Sequence, residues 1–380
     1  MSKILVDQIR SNSASSDAIT LDGSGNVTVP GNITLSGNAT LSGTATGFPK
    51  GKAHNLIING AFQVAQRGTS NNNHGYGSVD RFAVYHNDVD EAPTHAQVDV
   101  ASGTTPYTLG FRKALRVTNG NQTSGVGTND HTMIQTKQES QDIANSGWNY
   151  TSASSYITLS FWVKSSVAQN FYCYFRTKDG TEQIYPFETG SLSADTWTKV
   201  TKTIPGHANL QFDNDANQGT EINISPYTGT YYTDSSVTLN AWGAYSGTAR
   251  TPDHTSTWWT TNDATFEITG VLLEVGDSAS DYPHRSYGEE LALCQRYYYK
   301  QAATFYGFFG YGTNSGTNQM GNLIRPVAMR ASPSITMSTG GYWSSGPYAG
   351  GNGPYYSYAY GQTTSSNGPN LSNYELDAEL

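Results

Sequence analysis

Residues 25 to 48 say one short phrase several times. Gly25-Asn-Val-Thr-Val-Pro30 is followed by Gly31-Asn-Ile-Thr-Leu-Ser36, Gly37-Asn-Ala-Thr-Leu-Ser42 and a weaker copy, Gly43-Thr-Ala-Thr-Gly-Phe48. Within each hexad the third and fifth positions are apolar and the second and fourth polar, which is the period of a half-buried strand with Gly at the turn. One chain cannot seal such an edge with so few apolar groups. A single-chain β-helix needs several stacked coils, and four hexads fall short of that. Three parallel copies around one axis would give each edge a partner and leave no sheet edge open. The repeat therefore predicts a trimeric β-stalk over residues 20–50 with a core of Val27, Val29, Ile33, Leu35 and Leu41; a disordered polar linker is the competing reading. Ahead of it, residues 1–19 carry Ile4, Leu5, Val6 and Ile9, an apolar set suited to docking on a larger particle. The opening MSKILVDQIR has no apolar core or cleavage site of a secretory signal.

Beyond residue 50 the chain is rich in turn formers and aromatics. Of 380 residues, 40 are Gly and 26 Tyr, while only 13% are charged, against about 25% in ordinary globular chains. Such a composition favours strands and tight turns over helices. The net charge of −9 and the lack of any Lys/Arg run argue against nucleic acid as a partner. No apolar stretch is long enough for a membrane-spanning helix. Cys173 in FYCYF and Cys294 in LALCQRYY read as buried, inert thiols.

Residues 51–285 are expected to form an all-β body, a two-sheet jelly-roll sandwich. In ITLSFWVKSS (157–166), Leu159, Phe161 and Val163 alternate with polar residues, and NFYCYFRT (170–177) follows closely enough to suggest a hairpin. TWTKVTKTIP (196–205) and TFEITGVLLEVG (265–276) are further strands. In SYGEELALCQRYYYK (286–300), Ser286 and Glu289 form a capping box, which predicts a helix with Leu291, Cys294 and Tyr298 on one face. Glu289 and Glu290 then read as cap and solvent charges.

These segments, with NLIINGAFQVAQRGTS (55–70) and SVDRFAVY (78–85), resemble the body module of phage tail-fibre and related virion appendage proteins, especially those of cyanophages. The resemblance covers roughly residues 55–300 and is most specific in the run from LEVGD to HRSYGEELALCQRYY. It implies a sandwich similar to carbohydrate-binding modules, a homotrimer on the virion, contacts with other virion proteins through the N-terminus, and a host polysaccharide or lipopolysaccharide as target. Similar modules occur on tail and head fibres, so a head-attached fibre or capsid decoration protein is the alternative.

From Arg330 to Glu375 no charged residue intervenes, and GGYWSSGPYAGGNGPYYSYAYGQ (340–362) is dominated by Gly, Tyr, Ser and Pro. Residues 301–380 are expected to form a small β domain whose loops bind glycans. Tyr342, Trp343, Tyr348, Tyr355 and Tyr356 are the candidate contacts, with packing between subunits as the competing role. Trp258, read as one of two adjacent strand Trp residues pointing to opposite faces, is a further candidate. The loop DNDANQG (213–219) resembles a calcium loop at its start but has Gly219 at position seven and Ile224 at twelve, so it is read as a polar turn. No spaced His or Cys pair, nucleophile elbow, phosphate loop or acidic pair is found. The expectation is a protein without enzymatic activity, cofactor or metal; a polysaccharide depolymerase is the enzymatic alternative.

Overall fold

The computed structural model describes residues 8–9, 19–21, 27–29, 54–310, 318–363 and 369–380. The chain divides into two compact units, Met1–Lys50 and Gly51–Leu380.

In the first unit, β1 (Gln8–Ile9), β2 (Ile19–Leu21) and β3 (Val27–Thr28) form an antiparallel sheet in that order. Ile9 lies opposite Ile19, and Val27 opposite Leu21. Val27 and Thr28 of the first hexad thus pair with β2 of their own chain. Val27 is exposed and Val29 half-buried in this chain. Ile4, Leu5, Val6, Ile33, Leu35 and Leu41 lie outside the described residues.

The second unit opens with β4 (Ser70–Asn71), β5 (Phe82–Asn87), β6 (Thr94–Asp99), α1 (Thr105–Thr108), β7 (Lys113–Thr118), β8 (His131–Glu139) and α2 (Ser140–Ala144). It continues with β9 (Tyr156–Ser165), β10 (Asn170–Thr177), β11 (Gln183–Ser191), β12 (Thr198–Pro205), β13 (Gln218–Thr228), β14 (Gly243–Ala244), α3 (Thr257–Thr260) and β15 (Thr265–Val275). These strands make two six-stranded sheets, ordered β14-β11-β10-β13-β8-β5 and β12-β9-β15-β7-β6-β4. The expected all-β sandwich is present. Alternation along the strands sends one set of side chains inward. Phe171, Cys173 and Phe175 from one sheet meet Leu159, Phe161 and Phe266 from the other, all fully buried. The rings of Phe171 and Phe266 lie 4.8 Å apart across the gap. Burial pushes the Cys173 thiol up to about 12, which leaves it unreactive at neutral pH.

Three local expectations need correction. First, β9 and β10 are not a hairpin: β9 pairs with β12 and β15, whereas β10 pairs with β11 and β13. The residues between them carry the chain from one sheet to the other, helped by Ser165, whose hydroxyl donates to the Val167 carbonyl. Second, Trp258 and Trp259 sit on the short helix α3, not on a strand. Successive helical side chains diverge by about 100°, so both rings reach the core. Third, the helix α4 (Tyr287–Gln295) stops short of Tyr298. Its capping box is present, with the Glu289 amide donating to the Ser286 hydroxyl at 3.3 Å. Glu290, expected in solvent, is buried and accepts from the Asn59 amide and from Arg285.

After α4 the remaining strands are β16 (Tyr298–Gln301), β17 (Phe309–Gly310), β18 (Asn318–Asn322), β19 (Ser334–Thr339), β20 (Trp343–Gly350), β21 (Tyr358–Thr363) and β22 (Leu371–Asp377). They form a three-stranded sheet, β16-β22-β19, and a four-stranded sheet, β17-β18-β21-β20. Their core is small, centred on Phe308, Leu323, Leu371, Tyr374 and Leu376. A polar seam ties these sheets to the sandwich. Arg67 pairs with Asp377 at 2.9 Å and stacks over Tyr298 at 3.6 Å. Arg81 pairs with Glu379 and stacks over Tyr297 at 3.4 Å. Arg296 grips Glu139 through two hydrogen bonds of 2.8 and 2.7 Å, and the Tyr297 hydroxyl adds a third at 2.6 Å. These bonds hold the Glu139 carboxyl below its usual range although burial alone would raise it. Buried charges of this kind are tolerated because every one is paired.

Candidate functional site

The four-stranded sheet sets the expected binding residues on a defined surface. On β21, Ala359 points into the small core while Tyr360 points out, as strand alternation requires. Tyr360 lies opposite Met320 on β18 and opposite Tyr348 on β20. All three are exposed, which makes a row of large side chains across three strands. The Tyr348 and Tyr360 rings are 5.6 Å apart.

The loop between β20 and β21 carries two strongly exposed rings, Tyr355 at 78% and Tyr356 at 64%. Its backbone is pinned. Arg325 donates to the Gly353 carbonyl at 2.9 Å and to the Pro354 carbonyl at 3.2 Å, and also to the Ser357 hydroxyl. The Leu323 amide donates to the Ser357 carbonyl and the Met329 amide to the Pro354 carbonyl, each at 2.9 Å. Glycine here serves close packing as well as turning. At Gly351, with φ +53°, a Cβ would lie 2.3 Å from the Tyr358 ring. The loop therefore presents Tyr355 and Tyr356 from a fixed frame. Burial lowers the Arg325 pKa from its ordinary value, yet an arginine stays charged at neutral pH.

The sequence-derived candidates separate cleanly on this structure. Tyr342, Tyr348, Tyr355 and Tyr356 are exposed. Trp343 is not a free platform: its ring packs at 5.0 Å against Phe308 and its indole N–H donates to the Asn370 carbonyl at 2.8 Å. Trp258 is fully buried, with its indole N–H on the Thr265 carbonyl at 3.2 Å, so it offers no face to a ligand. Sequence reasoning missed Tyr360, Met320 and Arg325. The alternation in Tyr358-Ala359-Tyr360 could have found the first; nothing local marks Arg325 as the loop's anchor. In the 213–219 loop, the Asp215 carboxylate accepts from the Asn217 backbone at 2.9 Å, closing a local turn.

No protein-family model and no curated protein matches the sequence. Solved structures with a similar arrangement include the enzymatically active domain of tailspike protein 4 from bacteriophage CBA120, at 11% identity and TM-score 0.30, covering 58% of this chain and 21% of that one. A protein from Bacteroides thetaiotaomicron assigned to sugar binding is similar at 12% identity and TM-score 0.31, covering 59% of this chain and all of the other. The family 11 carbohydrate-binding module of Clostridium thermocellum is similar at 10% identity and TM-score 0.25, covering 56% and 98%. This chain thus spans about a fifth of the tailspike domain.

Proposed function

We propose that this chain is a phage virion appendage, a tail fibre that attaches to host surface glycans as a homotrimer and does no chemistry on them. The observation that carries the glycan assignment is the pinned loop with Tyr355 and Tyr356 largely exposed, in the same sheet region as the Met320–Tyr360–Tyr348 row. Exposed aromatic faces stack on the C–H faces of sugar rings, and tyrosine hydroxyls exchange hydrogen bonds with sugar hydroxyls. A rigid loop loses little freedom on binding, so modest contacts retain more of their value. The absence of charge between Arg330 and Glu375 suits an uncharged, hydroxylated target.

The virion role and the trimer rest on the hexad repeat and on the resemblance of residues 55–300 to fibre modules. Three weak sites on one stem gain avidity without any new contact. The test uses the full-length protein on an array of bacterial surface glycans, beside sedimentation. The double variant Tyr355→Ala/Tyr356→Ala is expected to lose most glycan retention while still sedimenting as a trimer. Undiminished retention would remove the loop from the site, and a stable monomer of the unaltered chain would end the fibre reading.

A further inference from the structure

A pocket of about 300 Å³ opens on the outward face of the β12-β9-β15 part of the sandwich. Its position follows from strand register. Lys199 on β12 lies directly opposite Trp162 on β9, and Trp162 lies opposite Thr269 on β15. Just past Thr269 the register of β15 slips, and Gly270 takes φ +65°. A Cβ at Gly270 would stand 2.6 Å from the outer edge of the Phe111 ring, so a glycine at the bulge is what lets that ring approach the sheet. Phe111 in turn supports Tyr282 and His284, with all three rings within 5.0 Å of one another. Together with the half-buried Trp162 they give the pocket an aromatic lining.

The polar groups around this lining are of both signs. Lys199 and Asp281 border the pocket and are exposed, and among the described residues neither belongs to an ion pair. His284 Nε2 lies 2.9 Å from the Leu109 carbonyl, which assigns the proton to that nitrogen and leaves Nδ1 as an acceptor. An anionic ligand would meet the Asp281 carboxylate, and a cationic one the Lys199 ammonium. A neutral ring bearing several hydroxyls satisfies both, because each hydroxyl can donate to the carboxylate or accept from the ammonium. The pocket lies at the small end of the range for ligand sites, which suits one sugar ring better than a buried chain.

We propose that this pocket is a separate carbohydrate subsite that takes one neutral pyranose unit of a glycan, with Trp162 as the stacking wall, Lys199 as donor and Asp281 as acceptor. It shares no residue with the Tyr355–Tyr356 loop, so the two sites stand or fall independently. The experiment is calorimetry on the full-length chain with cellotetraose, mannotetraose and galactotetraose, and with tetragalacturonate as the charged counterpart. In the Tyr355→Ala/Tyr356→Ala background at least one neutral tetramer is expected to bind still. Adding Trp162→Ala should weaken that binding by at least about tenfold. Lys199→Met and Asp281→Asn, at exposed positions that do not report on folding, should each weaken it about threefold or more. Should the Trp162 variant not fold, as judged by circular dichroism, these two decide. The proposal is overturned if the loop-altered protein binds no neutral tetramer, if it prefers the galacturonate, or if the pocket variants bind as tightly as their parent.

Discussion

In the sandwich, Trp258 and Trp259 are sealed against Phe266, Tyr227 and their neighbours, and each indole N–H has a carbonyl acceptor. In the C-terminal sheets, Tyr355 and Tyr356 leave most of their surface in water, and Tyr348 and Tyr360 line an open strand face. The same class of side chain holds one region together and is withheld from packing in the other. The difference lies in what surrounds each ring. Two large sheets can cover an aromatic from both sides. The C-terminal sheets enclose a small cluster around Tyr374, and among the described residues Met320, Tyr348 and Tyr360 stay exposed on their outer face. Aromatics held outward on an anchored loop suit the recognition role proposed above.

The contrast breaks most sharply under truncation. Trp258→Ala should cost about 3–5 kcal/mol of unfolding free energy by chemical denaturation, because the cavity lies between two sheets that cannot collapse into it. Tyr355→Ala should stay within about 0.5 kcal/mol. Equal losses at the two positions would mean that the tyrosine is structural.

Acid sharpens the comparison. His131 is buried, and desolvation pulls its pKa down to about 4. His254 is half-buried as a residue, but its ring packs edge-on against Tyr172 and Tyr227 with Nδ1 sealed from solvent, and its pKa falls to about 3. Both histidines bind a proton more readily unfolded than folded. Stability is therefore intact above pH 6.5 and falls as pH drops toward 4, by roughly 2–3 kcal/mol for each histidine at pH 4. Asp80 runs the other way: burial raises it to about 6, so its protonation on acidification restores part of the loss. The net expectation is an acid-sensitive sandwich, with His254→Gln flattening the profile between pH 6.5 and 4. Between Arg330 and Glu375 the chain holds no Asp, Glu or His. Tyr355-dependent glycan binding should stay level down to the pH at which the sandwich opens, and a profile that bends earlier would contradict this.

A local effect concerns the anchor. Arg325→Met removes the hydrogen bonds to Gly353, Pro354 and Ser357 and should cost about 1–2 kcal/mol of local stability. Amide exchange at Leu323 and Met329, which donate into the same loop, should quicken while exchange in β9 and β13 stays unchanged.

How far the sequence reveals this molecule differs between the two regions for the same reason. Strand positions in the sandwich are legible because burial imposes alternation: Leu159, Phe161 and Val163 announce β9 without help. Alternation says that one face is covered but not by which sheet, and for this reason the β9–β10 crossing reads as a hairpin. Ser286 and Glu289 mark the start of α4 because a cap is a local bond. Trp258 misleads because a run of four residues decides between strand and helix through contacts far away, here the Gln169 side chain accepting from the Trp258 amide. Among the candidate tyrosines, composition marks the region and the fold selects the members. Trp343 turns inward onto Phe308, and Tyr360, unnoticed in the sequence, turns out. The Lys199–Trp162–Gly270 pocket is invisible at the sequence level, since its walls come from five separate segments.

Arg81 is buried with Glu379 as its ion-pair partner, and the two are separated by 298 positions. A ribosome delivers every strand of the sandwich well before it delivers that carboxylate. Until residue 379 has been made, the emerging body holds a guanidinium whose counter-charge is missing, and its closure waits for that carboxylate. Loss of Glu379 would thus be felt around the buried Arg81, 298 positions away in the chain.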